Sequence, residues 1–121
     1  MASKITGTRY VLAVQDLSRS IEYYHNILGM NLQWEIDGWA LLDRDNFIIM
    51  LGECKDDVSA HETNNHSYFG YIEVSNIDAL FEDLTNRKVE VLSTIETKPW
   101  GQREFGIRTI DGHRIMFGEE H

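Results

Sequence analysis

The sequence contains little cysteine, few basic residues and no long apolar run. Its single cysteine, Cys54, excludes a disulfide within the chain, and no candidate catalytic partner flanks it, which indicates an inert thiol. No segment approaches the roughly 20 consecutive apolar residues that a membrane span requires. Residues 1–8 also lack the apolar stretch of a signal peptide. We therefore expect a cytoplasmic protein that does not associate with membranes.

The basic residues are too few, relative to the acidic ones, to form a nucleic-acid-binding surface. Lysine and arginine number 11 against 20 aspartates and glutamates, so the net charge is 11 − 20 = −9. Binding phosphates requires a basic surface, which disfavours nucleic acid and anionic membranes as partners. An acidic protein attracts cationic partners at long range, although many soluble proteins are acidic for solubility alone. The 121 residues, 42% of them hydrophobic, suffice for one domain with a buried core, which we expect to span residues 1–121.

Two short segments recur along the chain in the same order. The sequence VQDL at 14–17 returns as VSNI at 74–77, which is 74 − 14 = 60 positions later. The sequence IMLGE at 49–53 returns as IMFGE at 115–119, which is 115 − 49 = 66 positions later. One such match arises easily by chance, whereas two in the same order indicate a duplicated module. We place module one at 8–53, a polar linker at 54–66 and module two at 67–119.

Each module predicts a strand, a helix and three further strands. In module one an alternating segment at 10–14 is followed by Asp16, which suits a helix N-cap. Apolar residues then recur at helical spacing up to Gly29, and strands are predicted near 31–36, 38–43 and 46–51. Module two predicts a strand near 67–74, Asn76 as the N-cap, and strands near 89–96, 103–109 and 113–118. Neither module could bury its helix alone, so we expect the two to pack together.

The motifs of both modules resemble those of a known superfamily. Module one carries VxDLxxSIxYY at 14–24 and then LGM at 28–30, and module two carries DGHRIMF at 111–117. Over residues 8–119 the chain is similar to the glyoxalase, bleomycin-resistance and extradiol-dioxygenase superfamily, the vicinal oxygen chelate proteins. The resemblance implies an α+β fold in which two tandem βαβββ modules form a cupped mixed sheet, with the ligand held in the cup.

Metal-dependent members of that superfamily hold a divalent ion with four side chains of His, Gln or Glu type on the inner face of the cup. The resemblance places Arg9, Met50, Phe69 and Met116 at those four positions. Hard divalent cations need oxygen or imidazole ligands, and an arginine repels them. An alignment shift of two residues in module two would offer Tyr71 or Glu73, but a single carboxylate makes a poor site. We therefore predict no metal, no cofactor and no catalytic residue of the usual kind.

The segment PWGQREFGIR at 99–108 resembles the bleomycin-resistance branch of the superfamily. In that branch, homodimers sequester cationic, planar drugs with aromatic side chains in clefts between the subunits. Our leading hypothesis is a metal-free, homodimeric antibiotic-resistance protein that sequesters an aromatic or cationic small molecule. The alternative is an enzyme of the same superfamily with an atypical, non-metal site built from Arg9, Tyr71 and Glu73. A regulatory or structural dimer with a vestigial cup is the third hypothesis.

Strand parity assigns candidate ligand-binding residues to the inner face. The tryptophans could stack on a flat or cationic ligand, or fill a core or a dimer interface. The methionines could contact ligand or simply pack, and Arg9 could pair with Glu73 or bind an anionic group. His61 and His66 could hold a metal in the linker, but they lack a tight spacing pattern. The predicted ligand-binding set is Arg9, Trp39, Met50, Phe69, Tyr71, Glu73, Trp100 and Met116.

Overall fold

The computed structural model describes residues 2–62 and 68–121 of the chain. Its helices and strands follow the order βαβββ twice, which confirms the predicted α+β fold. None of the described helices is long and apolar enough to cross a membrane. Module one contains β1 (Tyr10–Val14), α1 (Leu17–Asn26), β2 (Asn31–Ile36), β3 (Trp39–Arg44) and β4 (Phe47–Glu53). After a 3₁₀ turn (Ala60–Glu62), module two contains β5 (Tyr68–Glu73), α2 (Ile77–Asn86), β6 (Glu90–Thr97), β7 (Gln102–Arg108) and β8 (Arg114–Glu120).

Each module forms its own four-stranded mixed sheet. The strand order is β1-β4-β3-β2 in sheet one and β5-β8-β7-β6 in sheet two. In both sheets the first strand of the module pairs in parallel with the last strand, and the remaining pairs are antiparallel. A parallel pair requires a long crossover connection, and the helix with the two intervening strands provides it. The sequence repeat is therefore also a repeat of topology.

The hydrophobic core lies on the helix side of both sheets and includes residues of both modules. Alternate residues of the central strands point to this side, as the period of a half-buried strand requires. A fully buried aliphatic or aromatic side chain contributes about 1.5–3 kcal/mol relative to an exposed one. The largest fully buried side chains of this core are Tyr24, Phe105, Met30, Leu42, Ile49, Leu51, Ile77, Leu84, Ile107 and Ile115.

The N-terminus of α1 is capped by two carboxylates. Asp16 accepts a hydrogen bond from the backbone N–H of Arg19 at 3.1 Å, which confirms the predicted N-cap. The Oε2 atom of Glu53, at the end of β4, accepts the backbone N–H of Leu17 at 2.9 Å. The first N–H groups of a helix have no partner within the helix, so both contacts stabilise its start.

The N-terminus of α2 is capped differently from the sequence prediction. Asn76 adopts a left-handed conformation with φ of 55°, and its side chain makes no capping hydrogen bond. Instead, Glu119 accepts the backbone N–H groups of Asn76 at 2.9 Å and Ile77 at 3.0 Å. Glu119 is the repeat equivalent of Glu53, so the recurring IMLGE and IMFGE segments each end in a glutamate that caps the helix of its own module.

Candidate functional site

The face of each sheet that points away from its helix is the candidate binding surface, and we call it the open face. In sheet one, Val11, Leu41 and Met50 are neighbours in register on three adjacent strands. Such neighbours point to the same side of a sheet, so these three side chains share the open face. At its end, Ile36 pairs with Trp39, and their side chains are 61% and 42% exposed. This open face is therefore apolar and carries an accessible indole ring.

The open face of sheet two combines an aromatic ring with a buried carboxylate. Tyr71 and Met116 are neighbours in register there. The Tyr71 hydroxyl donates a hydrogen bond to Oε2 of Glu104 at 2.8 Å and lies 3.1 Å from Oε1 of Gln102. Glu104 is only 7% exposed, whereas Tyr71 is 43% exposed. Partial desolvation, together with the hydrogen bond to Glu104, raises the pKa of Tyr71 to about 12.

The repeated glycines lie beneath aromatic rings on both open faces. A Cβ atom at Gly52 of β4 would lie 2.9 Å from two ring atoms of Trp39. A Cβ atom at Gly118 of β8, the repeat equivalent, would overlap the hydroxyl end of Tyr71. Real Cβ atoms do not approach other atoms this closely, so the absence of a side chain at Gly52 and Gly118 leaves room for the two rings. The Gly of IMLGE and IMFGE thus shapes the surface on which Trp39 and Tyr71 are displayed.

Trp100 lies in the turn between β6 and β7, two residues before Gln102. Its side chain is 66% exposed, and the Nζ atom of Lys98 stands 5.9 Å from the ring centroid. The same Nζ atom forms an ion pair with Glu96 at 2.6 Å. A distance of about 6 Å is within the range of cation–π attraction, so one face of this indole already accepts a cation.

Two placements on the predicted inner face require correction. A register shift between Tyr68 and Gly70 reverses the parity of β5, and Phe69 packs against the core, with its ring 5.4 Å from that of Tyr10. Phe69 therefore does not share the open face with Tyr71. The ion pair considered between Arg9 and Glu73 is also absent from the described residues. Arg9 directly precedes β1 of sheet one, and its Nη1 atom lies 3.8 Å from the sulfur of Met50.

The four positions that the superfamily uses for metal ligands do not fit a divalent ion. Two of them, Met50 and Met116, present thioethers, which hard cations do not select. Arg9 places a positive charge against Met50, and Phe69 points into the core. Within residues 2–62 and 68–121, no group of three or more His, Cys, Asp or Glu side chains could hold a metal ion.

The linker histidines provide no further site in the described part of the chain. His61 is engaged through its Nε2 atom with the backbone carbonyl of Ile110 at 2.8 Å. His66 lies outside the described residues. Cys54, predicted to be inert, has a pKa raised by desolvation and by the neighbouring Asp57, which disfavours the reactive thiolate.

A family model connects these features to known proteins. The model of the Glyoxalase/Bleomycin resistance protein/Dioxygenase superfamily matches residues 8–117, which include both modules. The chain belongs to this superfamily. No curated protein matches the chain.

Solved structures share the fold at low sequence identity. TioX from Micromonospora sp. ML1 has a TM-score of 0.76 and 23% identity, over 96% of this chain and 99% of that one. The bleomycin-binding protein of Streptomyces verticillus, complexed with copper(II)-bleomycin, has a TM-score of 0.76 and 21% identity, over 99% of this chain and 100% of that one. A glyoxalase/bleomycin resistance protein/dioxygenase from Alicyclobacillus acidocaldarius has a TM-score of 0.81 and 14% identity, over 99% of this chain and 95% of that one. These likenesses establish the fold.

Two residues of the open face were missed by the sequence prediction. Gln102 and Glu104 were quoted only as part of the 99–108 segment, and neither was singled out. Their signal was nevertheless present, because Phe105 and Ile107 are core residues and alternation places Glu104 on the opposite face. Trp39, Met50, Tyr71, Glu73 and Met116 do lie on the open faces, although they are divided between the two sheets.

Proposed function

We propose that the protein binds and sequesters a small aromatic or cationic molecule, such as an antibiotic, without a metal ion. The observation that carries this proposal is the pairing of the exposed Tyr71 ring with the buried carboxylate of Glu104 on one open face. A planar cation placed there meets an aromatic surface and a negative charge together. No chemical step is part of this function.

The physical basis of such binding is the desolvated carboxylate. A cation on an aromatic face gains roughly 0.5–2 kcal/mol, depending on how far both are desolvated. A hydrogen bond between charged groups adds about 1.5–3 kcal/mol. The net charge of −9 further favours the approach of a cationic ligand by long-range steering.

The remaining predicted residues take supporting roles in this proposal. Trp39, Met50 and Met116 supply adaptable apolar area for the body of the ligand. Trp100 stacks on a planar group, and a ligand cation there displaces Lys98 from the ring. Arg9 and Glu73 fix polar groups at the periphery.

The proposal includes a homodimer in which the ligand cleft lies between subunits. Exposed apolar side chains on the open face of sheet one, including Val11 and Ile36 at 61% each, support it. These two residues lie on opposite edge strands, with Met50 and Trp39 on the same face between them, and exposed apolar surface of this kind marks interaction sites. A second copy that covers part of this surface would leave the aromatic residues at the edge of a closed cleft.

The likeness to the bleomycin-binding protein of Streptomyces verticillus suggests the first ligand to test. Chelator-treated protein is titrated calorimetrically with metal-free bleomycin and with ethidium, a planar cation of unrelated chemistry. We expect micromolar binding of at least one of them, equivalent to about −8 kcal/mol. Raised salt should slow association, because the steering field is screened.

Trp100→Ala should lower the affinity for the ligand roughly tenfold, about 1.4 kcal/mol. Glu104→Gln should lower the affinity for the aromatic cation by a similar factor. Ile110→Ala, at another exposed apolar position, should bind like the wild type. Absence of binding by any aromatic cation would remove the proposal. Equal binding by wild type and Glu104→Gln would remove the role of the carboxylate.

The enzyme alternative receives no support from the geometry. Its three residues, Arg9, Tyr71 and Glu73, do not form one cluster in the described structure, since Arg9 contacts Met50 and Tyr71 bonds to Glu104. A tyrosine with a pKa of about 12 is also almost entirely protonated at neutral pH, so Tyr71 cannot accept a proton as a general base there.

A further inference from the structure

A cleft lies between the two modules, mainly on the helix side, and reaches the open face of sheet two only at Tyr71 and Glu73 of the edge strand β5. It is a cleft of about 850 Å³, bordered by the β3–β4 turn at 44–47 and by the first turns of α2. Ligand pockets in proteins measure about 300–1,000 Å³, so the cleft has the size of a small-molecule site. Its apolar lining includes Tyr10, Leu28, Phe47, Leu80, Leu84 and Phe117.

The sequence repeat explains why this cleft is open. At the equivalent place against α1, Ser20 donates a hydrogen bond to Asp111 at 2.8 Å and draws the β7–β8 turn onto the helix. The repeat equivalents are Leu80 (20 + 60) and Asp45 (111 − 66). Leucine has no hydroxyl group to donate, so the same contact cannot form in module two. Leu80 and Asp45 both line the cleft instead.

The burial of the first strands shows the same asymmetry. Leu12 and Val14 of β1 are buried at 7% and 0% exposure. Their equivalents, Ile72 of β5 and Val74 just after it, are only half-buried, and both line the cleft. Part of the apolar surface that the β7–β8 turn covers in module one is thus left accessible in module two, where an apolar ligand body would bury it.

The charges around the cleft select the sign of the ligand. Its lining includes Asp45, Glu73 and Asp83 against one guanidinium, and only Asp83 of the three is paired, with Arg87 at 3.1 Å in the described structure. That guanidinium, of Arg44, donates a hydrogen bond to the carbonyl of Leu28 at 3.0 Å. We propose that the cleft is a second ligand site, which binds a small amphiphilic cation with its alkyl body on Val74 and Leu80 and its ammonium group beside Asp45. The residues that would hold this ligand, Asp45, Val74 and Leu80, take no part in the function proposed for the open faces.

Hexylammonium is the probe, with 1-hexanol and hexanoate as neutral and anionic controls of the same length. Titration followed by amide NMR should shift resonances of residues 44–47 and 73–84 with hexylammonium, and with the controls much less. Shifts confined to the open faces, or equal responses to hexanoate, would overturn the proposal. The proposal would also be overturned if the resonances of the cleft residues changed with protein concentration alone, because a second copy of the chain would then occupy the cleft.

Two variants locate the ammonium group and the alkyl body. Asp45→Asn should raise the Kd for hexylammonium roughly threefold to tenfold. Asp37→Asn is the matched control, because Asp37 has the same left-handed backbone, with φ of 51° against 53° for Asp45, and does not line the cleft. Ala79→Phe, at an exposed residue of α2 that lines the cleft, should fill the space and abolish binding. Unchanged affinity in Asp45→Asn, or equal losses in both aspartate variants, would contradict the assignment.

Discussion

The hydroxyl of Ser20 lies 2.8 Å from Oδ2 of Asp111, and this hydrogen bond joins α1 of module one to the β7–β8 turn of module two. Asp111 is only 1% exposed, and its other oxygen accepts a bond from the guanidinium of Arg19 at 3.3 Å. A buried carboxylate is costly unless its oxygens have hydrogen-bond donors. The contact between the modules therefore depends on both donors.

The first prediction follows from this contact. Ser20→Ala removes the hydroxyl that donates to Oδ2 of the buried Asp111 and leaves that oxygen without this hydrogen bond. We therefore expect the free energy of unfolding to fall by about 1–3 kcal/mol. Urea denaturation measures the difference. Ser18→Ala makes the same substitution at an exposed position of the same helix and should change stability by less than about 0.5 kcal/mol. Equal effects of the two substitutions would refute the stabilising role of the hydrogen bond.

The second prediction concerns Glu119 and acid stability. Hydrogen bonds from the backbone N–H groups of Ile77 and Asn76 lower the pKa of Glu119 below its usual value. A carboxylate with a lowered pKa in the folded state stabilises the protein above its unfolded pKa, and this contribution is lost as pH falls through the folded pKa. Glu119→Gln should therefore be less stable at neutral pH and should lose less of its stability on acidification.

The control for this prediction is Glu120→Gln, at the exposed neighbouring residue of β8. Thermal unfolding from pH 7 down to pH 3 compares the two variants with the wild type. A steep acid dependence retained in Glu119→Gln would show that capping by Glu119 does not contribute to it.

Much of the fold could be predicted from the sequence because the module is repeated. The segments VQDL and VSNI mark the starts of the helices, and IMLGE and IMFGE mark the last strands. Each segment combines alternation or helical spacing with a polar residue at the turn, and these are local properties of the chain. The helix at 17–26 and the strands at 31–36 and 39–44 accordingly lie within a few residues of their predicted positions.

The features that could not be predicted depend on contacts between distant segments. The register shift that turns Phe69 into the core is set by the pairing of β5 with β8, and parity along β5 alone assigns Phe69 to the other face. Asn76 suits an N-cap by residue type, but a glutamate 43 positions later occupies that role. Glu104 is charged and resembles a surface residue in the sequence, and only the folded sheet shows that it is buried.

The third prediction concerns the titration of Tyr71. Its folded pKa of about 12 exceeds the ordinary value of 10.0, so its contribution to stability is present below pH 10 and is lost as pH rises through 12. Glu104→Gln keeps an acceptor for the hydroxyl but removes the negative charge, and the pKa of Tyr71 should fall towards 10. Tyrosine Cζ chemical shifts followed by NMR report the titration, with Tyr71→Phe to assign the resonance. An unchanged midpoint in Glu104→Gln would contradict the coupling of these two side chains.

The fourth prediction concerns the proposed homodimer. If the open face of sheet one contributes to the interface, Ile36→Lys, at a side chain 61% exposed, should weaken association roughly tenfold or more, about 1.4 kcal/mol. Ile110→Lys, at an exposed apolar residue outside the open faces, should leave association unchanged. Sedimentation velocity over micromolar concentrations measures both. A monomer at all concentrations in the wild type would remove the homodimer and the cleft between subunits.

The last prediction tests the role of the repeated glycine in displaying Tyr71. An added Cβ at Gly118 would overlap the hydroxyl end of Tyr71, which is the far end of a flexible side chain. The ring should therefore rotate away, because the strand backbone holding Gly118 is paired with both neighbours and cannot move as easily. Rotation breaks the 2.8 Å hydrogen bond to Glu104.

In Gly118→Ala we therefore expect the pKa of Tyr71 to fall from about 12 towards 10 and the affinity for an aromatic cation to fall with it. Gly7→Ala is the matched control, because an added Cβ there has no neighbour within 4 Å. NMR titration of the tyrosine and calorimetric titration with ethidium give the two readouts on the same proteins. If the pKa of Tyr71 falls while the affinity for ethidium stays unchanged, the hydrogen bond between Tyr71 and Glu104 does not contribute to ligand binding. If both stay at wild-type values, the ring does not depend on the glycine beneath it, and the cross-strand explanation for the repeated glycine fails.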